Sequence, residues 1–226
     1  MFQCWNDLLL AHWPVLEESL RPLVPEVLPI DTFEGQAWLG ITPFRLTDAH
    51  ARFLPSVPGL SSFLELNVRT YVTVEDKPGV YFFSLDASNP VAVTGARQFF
   101  YLPYFTAEMD QRVEEGWIYF HSRRAGGTDS SPHLRTRYRP TGEVFQALPG
   151  TLEYFLIERY CLYTMEDQHL YRCEIHHPPW PVQPATAEFE ENTMASAQGI
   201  ALPETPPLLH FAETQPTIVW PLFRLS

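Results

Sequence analysis

Lysine occurs once in 226 residues, as Lys77 in the turn-like run EDKPG, where an amine is expected to stay solvated. Cysteine is nearly as scarce. Cys4, Cys161 and Cys173 form an odd set at unrelated spacings, which argues against a disulfide framework and fits a reducing compartment. The run MFQCWNDLLLAHWPV carries no basic leader, and its apolar part is too short for a secretory or membrane-spanning segment. Basic residues number 15 against 27 acidic ones, a formal net charge of -12, so nucleic acid or an acidic membrane surface is repelled overall. A P-loop, a dinucleotide glycine fingerprint and a G-x-S-x-G elbow are all missing. These absences point to a soluble cytoplasmic protein with no nucleic-acid or membrane partner.

What is present is apolar and aromatic. Hydrophobic residues make up 45% and charged residues 19%, which excludes a disordered chain. Aromatics at 14% and 22 prolines favour strands, turns and extended loops over long helices. Strands are expected in AWLGITPFRL, ELNVRTYVTV, GVYFFSLDA, VTGARQFFYLPYFTAEM, GWIYFHSRR, HLRTRYRP, HLYRCEIHH and TIVWPLFRL. Short helices are expected over residues 14–28, for about two turns, and over 151–164. The polar run ATAEFEENTMASAQG reads as a further helix or a loop. The pattern implies an antiparallel sandwich or barrel. With no convincing linker, residues 1–226 are read as one domain.

One strand carries the functional question. In FLELNVRTYV, Glu65, Asn67, Arg69 and Tyr71 share one face, while Leu66, Val68, Thr70 and Val72 share the other. If Glu75 and Val80 close the EDKPG hairpin, Tyr71 faces Ser84, Arg69 faces Asp86 and Asn67 faces Ser88. Arg69 and Asp86 would then be charge-assisted cross-strand neighbours. A row without lysine, built from short and planar polar groups, suits a lumen better than a wet face, and barrels of this size enclose ligand cavities.

The runs HWPV, FEGQAWLGITPF, ELNVRTYV, PGVYFFSLDA, GARQFFYLPY, FLIERYCLYT and IHHPPWP together resemble the YqjF-like family, a bacterial domain of unknown function, from about residue 5 to 225. That family is similar in fold to acetoacetate decarboxylase. The resemblance implies a mainly β fold, a closed antiparallel β-barrel with two or three short helices and the chemistry inside. Three features carry the more distant likeness. LVPEVLPID resembles the decarboxylases' segment after the first helix, and Glu65 falls where they keep an acidic barrel residue. GARQFFYLPYFTA resembles their glycine-arginine segment running into a proline and two lysines. Here Tyr104 follows Pro103 in place of the Schiff-base lysine, and Phe105 stands for the second lysine. No arginine precedes Arg21 to serve as their N-terminal substrate-binding arginine. A phenol cannot form an imine, so Schiff-base decarboxylation is not expected.

The remaining candidates are Glu65 as acid or base and Tyr104 as hydrogen-bond donor, the expected catalytic pair. Asn67, Arg69, Tyr71, Asp86 and Arg97 are the expected ligand-binding residues. No cofactor is implied. Cys173, His176 and His177 are not expected to hold a metal, because adjacent histidines on a strand point to opposite faces. Glu158 in the run ERY is expected to act as a packing clamp. Arg135, Arg137 and Arg139, with Arg123 and Arg124, form a basic stripe expected at a solvated edge. Two functions from different classes follow: a module binding a small anionic or carbonyl-containing ligand, or a lysine-independent lyase, isomerase or hydrolase using Glu65. A structural barrel with a filled interior is the plain alternative, and a homo-oligomer is compatible with the sequence.

Overall fold

A computed structural model describes residues 1–50, 61–126 and 130–225. In chain order the described strands are β1 (Phe2–Val15), β2 (Ala37–His50), β3 (Phe63–Val74), β4 (Lys77–Ala87), β5 (Tyr104–Glu114), β6 (Trp117–Arg124), β7 (His133–Pro140), β8 (Cys161–Glu166), β9 (His169–His176), β10 (Gln183–Asn192), β11 (Leu208–Val219) and β12 (Phe223–Arg224). Short helices α1 (Glu17–Leu20), α2 (Pro90–Phe100) and α3 (Leu152–Ile157) interrupt them. The expected mainly β class is what forms.

The sheet closes on itself twice. One ring runs β4-β3-β2-β1-β11-β9-β8, and the other leaves β11 through β10, β7 and β6 to β5 before returning to β4. Strands β4, β3, β2, β1 and β11 therefore belong to both rings and are covered on both faces. On the first ring's side pack Leu8, Leu10, Phe44, Tyr71, Val80, Leu85 and Ile175. On the second ring's side pack Leu9, Ala11, Ile41, Leu66, Val68, Phe120, Leu134 and Tyr138. Burial of both faces is the main source of stability, at roughly 1.5–3 kcal/mol per large apolar side chain. The pairings are antiparallel except β4–β5 and β4–β8, which are parallel. Gly79 permits the second of these: a Cβ there would stand 2.7 Å from Tyr163 Cε2 and 2.8 Å from the Cys161 carbonyl.

Several expectations change. Pro14 ends a strand rather than opening a helix, and the helical turns run through α1 and a 3-10 segment, Arg21–Leu23. The helix expected over 151–164 stops at Ile157, and CLYT starts β8. The stretch read as the strand VTGARQFFYLPYFTAEM is α2 followed by β5. Asn89 caps α2 by accepting from the N–H groups of Val91 and Ala92 at 3.0 and 3.2 Å, with Pro90 at the first helical position. Tyr101, in the left-handed region at φ 52°, ends it. The run ATAEFEENTMASAQG divides between β10 and a 3-10 turn, Ser196–Gln198.

The basic stripe is not at an edge, since β7 pairs with β6 on one side and β10 on the other. Arg137 meets Glu188 at 2.7 Å and Arg135 approaches Glu190 and Glu191, while Arg124 leaves the stripe and turns inward.

Candidate functional site

The register of β3 with β2 is unbroken from Leu39↔Thr70 to Leu46↔Phe63, so the period of two along ELNVRTY is kept. Glu65, Asn67 and Arg69 face a cavity of about 370 Å³ inside the first ring. Glu65 and Asn67 are each 4% exposed, whereas Tyr71, expected to bind ligand, is fully buried and does not line the cavity. The polar row therefore does not face bulk water. Trp5, Phe44, Phe82, Leu85, Leu102 and Trp180 supply apolar walls, and α2 contributes Val91, Ala96 and Phe99.

The hairpin closes differently from expectation. Glu75 and Asp76, both at positive φ (51° and 58°), form a two-residue turn between Val74 and Lys77. Arg69 consequently lies opposite Phe82 and Tyr71 opposite Val80. A bulge on β4 then places Asn67 opposite Leu85 and Leu66 opposite Asp86. The expected Arg69–Asp86 pair does not form. Asp86 lies outside the cavity lining and binds Arg124, with an Nη2–Oδ1 distance of 2.7 Å.

Arg97 is likewise misplaced by the sequence reading. It sits exposed in the last turn of α2, where its Nε donates to the Tyr104 carbonyl at 2.6 Å. It borders a second cavity of about 290 Å³, with Tyr101, Tyr163 and Glu166, rather than the first.

Glu65 and Tyr104 do meet. The Tyr104 hydroxyl donates to Glu65 Oε2 at 2.9 Å. Tyr104 is held there because Leu85 N–H bonds the Pro103 carbonyl, which starts the parallel β4–β5 pairing. Burial lifts the Glu65 carboxyl to about 8, against a smaller opposing effect of the Tyr104 hydrogen bond. Burial and the neighbouring acid push the Tyr104 phenol well above its ordinary value. Both shifts favour the protonated forms, the acid and the phenol, near neutrality.

At the other end of the row, Arg69 has no carboxylate within ion-pair distance among the described residues, and its Nε finds no acceptor. The Tyr71 hydroxyl lies beside it. Gly40 explains its path. A Cβ at Gly40 would stand 3.3 Å from Arg69 Cγ and 3.4 Å from both Arg69 Nε and His12 Cδ2, so the arginine stem crosses β2 where a side chain is lacking. Gly40→Val is expected to lower stability by about 1–3 kcal/mol, read as a lower urea midpoint, with Gly40→Ala costing clearly less. Thr42 Oγ1 and Asn67 Oδ1, on the rung between the two ends, are buried without hydrogen-bond partners.

Other lining residues were not anticipated. Arg159 reaches the cavity from the segment after α3, held by Asp31 at 2.6 Å and stacked on Phe155 at 4.2 Å. His177 stacks on Tyr160 at 4.4 Å and is buried, whereas His176 is exposed. Glu158, expected from the sequence as a packing clamp, lies behind the lining and accepts from Tyr160 Oη and from the Trp180 N–H. The signals were the runs ERY and HHPPW, whose roles depend on long-range packing. Among the described residues no three metal-ligating side chains gather, and no helix is long and apolar enough to cross a membrane.

Residues 2–216 match the DUF2071 family, described as an uncharacterized conserved protein. The chain belongs to this family. A relative from Bacillus subtilis (strain 168), the uncharacterized protein YqjF, is 50% identical over 226 residues, covering 100% of this chain and 93% of the relative. The YqjF likeness expected from the sequence runs is thus borne out. Solved structures carry the same fold as this DUF2071 chain. The enduracididine biosynthesis enzyme MppR complexed with pyruvate has a TM-score of 0.69 at 11% identity, over 100% of this chain and 90% of that one. Acetoacetate decarboxylase from Legionella pneumophila has a TM-score of 0.64 at 11% identity, over 100% and 87%. At such identities the likeness establishes the fold, and what a DUF2071 cavity does must come from its own side chains.

Proposed function

We propose that this chain binds a small anionic or carbonyl-containing molecule in the first-ring cavity and does not run Schiff-base decarboxylation. The carrying observation is Arg69, a guanidinium beside an apolar cavity with no carboxylate partner among the described residues. Arg69 is half-buried with its Nε covered and unpaired, and a ligand carboxylate would supply the missing counter-ion while its carbon skeleton covers the aromatic walls. The binding of pyruvate by MppR, a protein of the same fold, supports a small oxo acid as the first class to test. Tyr104 in the place of the decarboxylases' lysine, and the Lys77 amine on the surface 2.6 Å from Glu174, support the absence of imine chemistry. Five strands common to both rings support reading residues 1–226 as one domain.

Ligand that binds the native state raises its melting temperature. A thermal-shift screen of oxo, hydroxy and aromatic carboxylates is expected to give selective hits. Arg69→Met is expected to weaken each hit about 30- to 5,000-fold, since removing one partner of a desolvated charge pair costs roughly 2–5 kcal/mol. Hits that bind Arg69→Met as tightly as the parent would remove the anion site.

A second reading has its own support. Glu65, raised to about 8 and bonded to Tyr104, is suited to proton transfer near neutrality. Under it the protein is a lysine-independent lyase, isomerase or hydrolase. Glu65→Gln would then abolish turnover of a hit while leaving it bound, and absence of turnover for every hit in the parent would sink it.

A further inference from the structure

We infer that the ligand is ditopic: a carboxylate at one end, an apolar spacer of roughly five to seven carbon atoms, and a neutral carbonyl or hydroxyl at the other. This rests on the reading of the cavity as a carboxylate site and adds the distance between its two polar ends. Glu65 and Arg69 project from the same face of one regularly paired strand. At about 3.3 Å per residue their Cα atoms stand roughly 13 Å apart. Arg69 does not shorten the gap by leaning along the strand, because its stem crosses β2 over Gly40 toward His12. Along the strand direction, with a hydrogen bond of about 3 Å taken off at each end, the ligand's own polar groups fall about 7 Å apart. A three- or four-carbon oxo acid spans less than that and can engage one end only.

The two ends differ in chemistry. Arg69 carries the only guanidinium on the row and lacks a carboxylate partner among the described residues, so it takes the anion. At the far end Glu65 and Tyr104 form a donor–acceptor pair in which each group has an oxygen for the ligand. No cation faces that end closely enough to form an ion pair with Glu65 among the described residues. A neutral oxygen fits there, and a second carboxylate would be buried without compensation. Phe44, Phe82 and Leu85 flank the spacer. Medium-chain oxo or hydroxy acids with the oxygen remote from the carboxylate meet all three conditions.

The test is calorimetric titration of the full chain with pyruvate, 3-oxobutanoate, octanoate, 7-oxooctanoate, 7-hydroxyheptanoate and octanedioate. 7-Oxooctanoate and 7-hydroxyheptanoate are expected to bind about tenfold tighter than octanoate, as one added neutral hydrogen bond predicts, with octanedioate, 3-oxobutanoate and pyruvate weaker than either of the two. Tyr104→Phe and Glu65→Leu should each erase the advantage of 7-oxooctanoate over octanoate, read as the ratio of the two affinities in the same variant. Should Glu65→Leu not fold, Tyr104→Phe alone carries this comparison. Equal affinity for octanoate and 7-oxooctanoate overturns the ditopic ligand but leaves the carboxylate site standing, as does tightest binding of pyruvate. No binding by any of the six overturns both.

Discussion

From about pH 5 to about pH 9 the parent protein is expected to lose stability, on the order of 3–5 kcal/mol, through Glu65 alone, a loss that Glu65→Gln should escape. The sign follows from where the proton is held. Unfolded, the carboxyl titrates near its ordinary value of 4.5; folded, burial moves it to about 8. Between these values the folded state keeps a proton that the unfolded chain has released, so folding takes up a proton. The contribution is fully present below the unfolded value, declines as pH rises through the window and is gone above the folded value. His12 and His210, both lowered by burial, act in the opposite direction as pH falls below about 6.5. They are common to both proteins and cancel in the difference. Urea denaturation of parent and Glu65→Gln at three pH values reads that difference directly. It should be small near pH 5 and favour the variant by several kcal/mol near pH 9, and parallel pH profiles would mean that Glu65 is ionised and solvated in the fold.

The inward-facing acid was legible because β3 keeps one register with β2 throughout, so the period of two written in ELNVRTY survives into the structure. Asp86 was not, because hairpin register depends on turn type. Glu75 and Val80 were expected to close the hairpin, but Glu75 and Asp76 accept positive φ and turn the chain earlier, between Val74 and Lys77, and the β4 bulge shifts the pairing again. Strand β1 escaped notice for a different reason. Its central run LLLA is buried on both sides by two separate cores, so it shows no alternation to read. His12, at the end of that run and buried beside Arg69, was hidden with it. The helix α2 did leave a signal in Asn89 and Pro90, a cap and a first-turn proline, which the β-branched and aromatic residues after them masked. The family likeness, by contrast, rests on several runs at once and does not depend on any single register.

Arg124→Met is expected to destabilise the protein by about 3–5 kcal/mol at neutral pH. Asp86 is fully buried, and Arg124, whose side chain is 15% exposed, supplies its only ion pair among the described residues through a forked contact from Nε and Nη2. The guanidinium also lies 3.7 Å over the Phe105 ring. Burial already raises the Asp86 carboxyl above its ordinary value, with the Arg124 bonds opposing that rise. Removing the arginine leaves burial unopposed, so the variant's loss should shrink as pH falls and the acid takes up a proton. Replacing both partners with apolar residues, as in Asp86→Leu with Arg124→Met, should recover most of the loss, because neither charge is then stranded. The consequence reaches the cavity: Asp86 lies opposite Phe105 in the parallel β4–β5 pairing, one residue from Leu85 opposite Tyr104. The ion pair thus pins the start of β5, and with it the phenol on Glu65. A stable Arg124→Met would leave that duty to the backbone pairing, whereas a destabilised one that also loses the preference for a remote oxo group would tie the ion pair to the placement of Tyr104.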